Sequence, residues 1–361
     1  MQVCARPHLM LLAALVCGAL ALPAPSAADA QAPPPSFFGV DAWMSPPARD
    51  FARLGTAKVG LYRMFVRWSS VEPCAGCRDW TELDRVIGDA ARAHIRVLPF
   101  VWGSPAFLEA EPRIAPLDPG ALPDYAAVVR DVVSRYGTHG SFWATHPSIP
   151  RSPLAGLQVW NEPSHPNFWG PRPSAAGYAR LLKAAAAAVR SVDPATKVVL
   201  AGLPTAGGVP LASYLAQLYQ VPGFSRSFDV MALHPYVATP QALFDIVGRA
   251  RALMRSHGDG GKQTWITELG WASVPAPYFS GGSTQGQARL LSESYRGLIA
   301  RRATQRIGLL AWFALRDHAL APGEADGWVF HTGLFTSSGA AKPAWAALVK
   351  LAGGRAGFGL L

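Results

Sequence analysis

Short apolar runs alternate along this chain with longer stretches whose apolar positions recur at helical spacing. The first run, at 37–40, leads into a predicted helix at 46–54. The second, at 59–65, leads into a helix that Thr81 is placed to cap, with Leu83, Val86, Ile87 and Ala90 on one face. A third strand is predicted at 95–101, then a helix at 125–136 with Val128, Val129, Val132 and Val133 together. Residues 137–155 carry Gly, Pro, Ser and aromatics without periodicity, so an irregular insertion is expected there. The fourth strand, at 156–159, precedes an Ala-rich helix that Ser174 caps and that runs to about 192. A fifth strand at 197–201 and a short helix at 211–219 follow. The sixth strand, at 228–233, precedes a helix opened by Thr239-Pro240, with proline at its favoured first turn, and reaching about 254. The last two strands are expected at 264–267 and 307–313, with helices at 285–301 and 342–351.

Eight strand-then-helix units without a composition break predict an α/β fold, a single-domain (β/α)8 TIM barrel spanning 37–361. No Gly-x-Gly-x-x-Gly follows the first strand and no phosphate loop occurs, so no nucleotide cofactor is expected.

The first 30 residues stand apart. Arg6, the apolar run from Leu9 to Leu22, and Ala28-Asp29-Ala30 together form a secretory signal pattern, residues 1–30. The run is short for a membrane span, so no stable membrane insertion is expected once it is removed. The mature protein is expected to be secreted or periplasmic, with residues 31–36 as a flexible Pro-rich leader. Of four cysteines, Cys4 and Cys17 leave with the signal. Cys74 and Cys77, in Cys-Ala-Gly-Cys, are then most simply a tight loop disulfide, and no second Cys or His pair sits nearby to complete a metal site. The net charge is +10, yet basic residues such as Arg85, Arg92, Arg130, Arg180, Lys183 and Arg190 are scattered. That spacing fits a solvated surface and no nucleic-acid partner.

A parallel barrel keeps its chemistry at the C-terminal ends of its strands. There the chain places Asn161 and Glu162 after the fourth strand, His234 and Tyr236 after the sixth, and Glu268 after the seventh. Arg63 lies on the second strand, Trp102 ends the third and Trp312 lies on the eighth. Two facing carboxyls suit glycosidic bond cleavage, one holding a proton for the leaving oxygen and one ionised to attack carbon. Like charges at close range raise one of the two pKa values and so divide the roles. Arginine and tyrosine can orient the second carboxylate, an amide can bind a hydroxyl, and indole rings match the apolar faces of sugars.

Trp160-Asn161-Glu162-Pro163, His234-x-Tyr236 and Thr267-Glu268-Leu269-Gly270-Trp271 together resemble clan A of the retaining glycoside hydrolases. Arg63-x-x-x-x-Trp68-x-x-x-Glu72-Pro73 resembles the second-strand motif of families near 39 and 5. Gly333-Leu334-Phe335 and Lys342-Pro343-Ala344 resemble the usual close of such barrels. The resemblance implies a retaining β-glycosidase acting on a carbohydrate without metal or cofactor. It implies Glu162 as acid/base and Glu268 as nucleophile, with Asn161 on the substrate 2-hydroxyl. Tyr236 would then bond the nucleophile, His234 line the site, Arg63 hold Glu268 ionised, and Trp312 form the sugar platform. Two departures are Ser164 after the motif's proline and Trp102-Gly103-Ser104, where some family 5 relatives carry histidine. The rival readings are a non-catalytic carbohydrate-binding barrel and a metal-dependent barrel hydrolase. Glu72, before Pro73, is expected to fix loop geometry.

Overall fold

Each predicted apolar run becomes a strand buried on both faces, which is why these runs are nearly continuous rather than alternating. The computed structural model describes residues 1–2, 32–109, 111, 115 and 119–356. The signal pattern therefore lies, beyond residues 1–2, outside the described residues. From Pro33 onward the described chain forms one compact unit.

The order is β1 (Phe38–Asp41), α1 (Ala48–Thr56), β2 (Leu61–Arg67), the single turn α2 (Trp68–Val71) and α3 (Thr81–Arg92). Then come β3 (Arg96–Trp102), α4 (Leu122–Tyr136), the short α5 (Ser141–Thr145) and β4 (Leu157–Val159). The turn α6 (Pro166–Trp169), α7 (Ala175–Val192), β5 (Val198–Val199), β6 (Leu203–Pro204) and α8 (Leu211–Tyr219) follow. The chain continues through β7 (Val230–His234), α9 (Pro240–Ser256), β8 (Gln263–Ile266), α10 (Thr284–Ala300), β9 (Ile307–Trp312) and α11 (Pro343–Ala352).

All the strand pairs are parallel, from β5 through β4, β3, β2, β1, β9 and β8 to β7. Val199 on β5 pairs with Val230 on β7 and closes the circle. Leu203 on β6 pairs with Leu233 on the same neighbour, so β5 and β6 are two pieces of one stave. The closed barrel thus has eight staves, as expected, with the fifth one broken around Gly202. Leu61, Leu98, Val199, Val230, Ala232, Trp265 and Leu309 fill its interior, and a larger apolar layer joins strands to helices.

Local signals act largely as expected. Ser174 Oγ accepts from the Gly177 amide at 3.0 Å, and Thr239 Oγ1 from Ala242 at 3.3 Å, each opening its helix. Thr81 is not a cap. It is the first helical residue, and the Asp79 carboxylate accepts its amide at 2.9 Å. The expected irregular stretch holds α5, a helix too short to show a period, tethered by Trp143 Nε1 to Gly137 O at 3.1 Å. The expected leader is tied down at its end, where Pro35 O accepts the Gly60 amide at 3.0 Å. Cys74 and Cys77 are disulfide-bonded. Beneath them Glu72 is buried and accepts Trp68 Nε1 at 2.7 Å and the Gly76 amide at 2.9 Å, which is a loop-fixing role. Among the described residues no helix is long and apolar enough to cross a membrane.

Candidate active site

Side chains alternate along β2, so Arg63 points into the barrel two residues above the interior Leu61. Its guanidinium is fully buried and pairs with groups from three other staves. Nη1 donates to Asp41 on β1 and, at 2.6 Å, to Glu268 Oε1 after β8. Nη2 donates to Asn161 Oδ1 at 2.9 Å, and Nε to Gln158 Oε1 on β4 at 2.6 Å. The Phe100 ring lies 3.8 Å beneath it. A planar fork with five donors suits this role, where a lysine ammonium would reach fewer partners.

At the end of β4 the backbone turns sharply. Trp160 and Glu162 have φ of 67° and 38°, a region that L side chains seldom adopt. Packing of the buried Trp160 holds this turn, which sets the neighbouring Glu162 at the mouth. Glu162 Oε1 lies 2.7 Å from His234 Nδ1, and His234 Nε2 lies 3.0 Å from Thr267 Oγ1. Glu268 Oε2 accepts the Tyr236 hydroxyl at 2.8 Å. The carboxyls of Glu162 and Glu268 present oxygens within 4.8 Å of each other. Both glutamates keep a small opening to solvent, 8% and 9%.

The two carboxyls have unlike surroundings. Burial, then the charge of Glu268, pushes Glu162 well above the usual carboxyl range, and Arg63 only partly opposes this. Burial, helped by the Arg63 charge, holds His234 well below its usual value, so the imidazole is neutral. Glu268 instead contacts a guanidinium and a phenol, and burial followed by the Glu268 charge keeps that phenol protonated. Asp41 is a third buried carboxyl, raised to about 7 by burial, with Arg63 opposing and Glu268 adding to the rise.

No family model matches the chain, and no curated protein matches it. Solved structures do. A family 39 glycoside hydrolase from Bacteroides cellulosilyticus WH2 has a TM-score of 0.68 and 19% identity, over 89% of this chain and 64% of that one. An exo-β-1,4-mannosidase from Opitutaceae bacterium strain TAV5 has a TM-score of 0.62 and 15% identity, over 87% of this chain and 58% of that one. A monomeric β-xylosidase from Caulobacter crescentus CB15 has a TM-score of 0.62 and 19% identity, over 89% and 69%. The barrel is built like those of glycoside hydrolases. This chain spans less than two thirds of the length of the first two.

Within this glycoside-hydrolase-like barrel, Glu162, Glu268, Asn161, His234, Tyr236 and Arg63 form one connected cluster, as the strand-end reading expects. Trp102 sits half-buried at the mouth against Phe65, Trp160 and Phe168. Trp312 does not join them. On β9 the inward positions are Leu309 and Ala311, so Trp312 points outward, fully buried against Trp271 and Tyr295. Its Nε1 donates to Thr332 O at 2.8 Å. The next residue, Phe313, continues the inward series and packs edge-on to Trp43 at 4.9 Å. Trp169 and Trp271 are buried packing residues, whereas Trp328 stands 5.0 Å from Tyr236 at the mouth.

Asp41, Gln158, Thr267 and Phe313 escape a reading based on strand-end motifs. Asp41 does carry the signal that marks Glu162, a charge closing an apolar run. Gln158 is a lone amide inside an apolar strand, flanked by Leu157 and Val159. The metal question also changes. Glu162, His234 and Glu268 bring three ligand atoms within 4.8 Å of one another, a cluster that sequence spacing does not reveal. Two of those atoms, on Glu162 and His234, bond each other, and the Arg63 charge already sits 2.6 Å from Glu268, so a second cation would meet repulsion.

Proposed function

We propose that the protein is a secreted retaining β-glycosidase that cleaves O-glycosidic bonds of oligo- or polysaccharides by double displacement. The observation that carries this is the carboxyl pair, with oxygens within 4.8 Å and opposite surroundings. Retention calls for carboxyl groups about 5–5.5 Å apart, and inversion for a wider gap. Glu162 holds its proton in a dry site beside a neutral imidazole, which suits the acid. Glu268, against Arg63 and Tyr236, suits the nucleophile. In the first step a Glu268 oxygen bonds the anomeric carbon while Glu162 gives its proton to the departing oxygen. Glu162, now ionised, then takes a proton from water, whose oxygen displaces Glu268. Asn161, gripped at its carbonyl by Arg63, keeps its amide hydrogens for a substrate hydroxyl. The fold shared with a mannosidase and a xylosidase supports a β-linked carbohydrate as substrate.

The test is turnover of aryl β-glycosides by the mature chain, followed by labelling with 2-fluoro-glycosides. Labelling of Glu268, and loss of roughly four orders of magnitude in kcat for Glu268→Ala, is the expected result. Unchanged turnover in that variant overturns the reading. Glycan binding without turnover in the wild type replaces it with a binding barrel. Export is checked by N-terminal sequencing of the mature protein, expected to start shortly after Ala30.

A further inference from the structure

We propose that Gln158 and Thr267 are positioning residues that set which nitrogen of His234 carries its proton, and thereby which oxygen of Glu162 delivers the acid proton. This rests on the reading of Glu162 as the acid.

The direction of each bond follows from the donors. Arginine has no acceptor, so the Gln158 atom 2.6 Å from Arg63 Nε is the carbonyl oxygen. The amide nitrogen of Gln158 therefore faces the other way. It donates to Leu200 O at 3.1 Å and to Thr267 Oγ1 at 3.2 Å. Thr267 Oγ1 accepts there, and unless its own buried hydrogen is left unpaired it donates to His234 Nε2 at 3.0 Å, the acceptor that faces it among the described residues. Nε2 is then a lone-pair site. A neutral imidazole has a single N–H, which must be on Nδ1, 2.7 Å from Glu162 Oε1. The ring cannot swing away, because it is fully buried and lies on Gly202, where a Cβ would come within 1.9 Å of Nε2.

The consequence falls on Glu162. Its Oε1 accepts from His234, so its proton sits on Oε2, the oxygen that the His234 bond leaves to the cleft. With the ring proton on Nε2 instead, Nδ1 would accept the carboxyl proton, and that proton would be held inside the pair. The chain Arg63, Gln158, Thr267, His234 thus presents the acid proton outward. Among the described residues the other charged or titratable groups facing Glu162 and His234 are Glu268 after β8, Tyr236 after β7 and Arg63 on β2, with Asp41 on β1 paired to Arg63.

Thr267→Val and Thr267→Ser in the full chain test this, with two readouts. The first is 15N NMR of the His234 ring, assigned by its loss in His234→Gln. The second is kcat/KM for aryl β-glycosides with good and poor leaving groups. Wild type should carry the ring proton on Nδ1. Thr267→Val should lose that preference and fall about tenfold or more on the poor leaving group, which needs the acid, with little change on the good one. Thr267→Ser should restore both. In Gln158→Glu the second oxygen accepts the Thr267 hydrogen, and the ring proton should move to Nε2. A wild-type ring protonated on Nε2, or an equal loss on both leaving groups in Thr267→Val, overturns the proposal. If the wild type turns over no glycoside, the glycosidase reading has failed, and the NMR result alone decides the tautomer claim.

Discussion

At the scale of the residue, the site depends on groups whose ordinary chemistry is altered by burial. Glu162 keeps its proton because a dry pocket and a neighbouring carboxylate disfavour its charge. Activity on unactivated substrates should therefore fall on the alkaline side as Glu162 ionises. With an activated aryl glycoside, whose leaving group needs no proton, the limb should be absent, and Glu162→Gln should keep most of its kcat/KM there while losing it on unactivated substrates. Arg63→Lys should be costly despite the retained charge, because an ammonium cannot serve Asp41, Glu268, Asn161 and Gln158 together. Leaving buried polar partners unpaired is worth roughly 3 kcal/mol or more, so thermal melting should show a clear drop alongside lost turnover. An unchanged melting temperature would mean that the Arg63 cluster is not strongly coupled to the fold.

At the scale of the element, the sequence is legible where periodicity is strong. The eight staves, α7, α8 and α9 and the caps at Ser174 and Thr239 follow from apolar spacing and cap chemistry. The break between β5 and β6 does not, because it depends on a contact with β7 that no local pattern encodes. The same holds for Trp312. Being apolar and at a strand end is compatible with either face, and only the inward register of Leu309 and Ala311 decides. Glu162 and Glu268 were legible because a charge ending an apolar run has no packing explanation. Gln158 and Thr267 were not, since their meaning lies in partners far along the chain. The register makes a paired prediction for β9. Trp312→Ala should lower stability by about 3–5 kcal/mol in chemical denaturation. Phe313→Ala should instead mainly change KM or kcat in glycoside assays. On the broken stave, Gly202→Ala should displace the His234 ring, costing about 1–3 kcal/mol by denaturation and most of the turnover.

At the scale of the whole molecule, the buried acids make stability depend on pH. Glu162 is protonated when folded and ionised when unfolded above its ordinary range, so the folded state holds the extra proton. Stability from this group is present at low pH and is lost as pH rises towards the folded value. His234, buried and neutral, acts in the opposite sense, but only below about 6.5. Above about pH 7, past the folded value of Asp41 and the ordinary value of His234, the Glu162 effect should be visible as a falling melting temperature, and Glu162→Gln should flatten it. A slope unchanged in the variant would sink this assignment.

Arg63 also bears on the order in which the molecule can form. Its partners come from the first, fourth and seventh staves, and the last of them, Glu268, lies 205 residues further along the chain. Until that late segment docks, the guanidinium lacks part of its neutralising charge. Closing the ring and completing the carboxyl pair therefore both wait on the seventh stave. A chain released before β8 is made would hold six of the eight staves but lack Glu268, one half of the carboxyl pair.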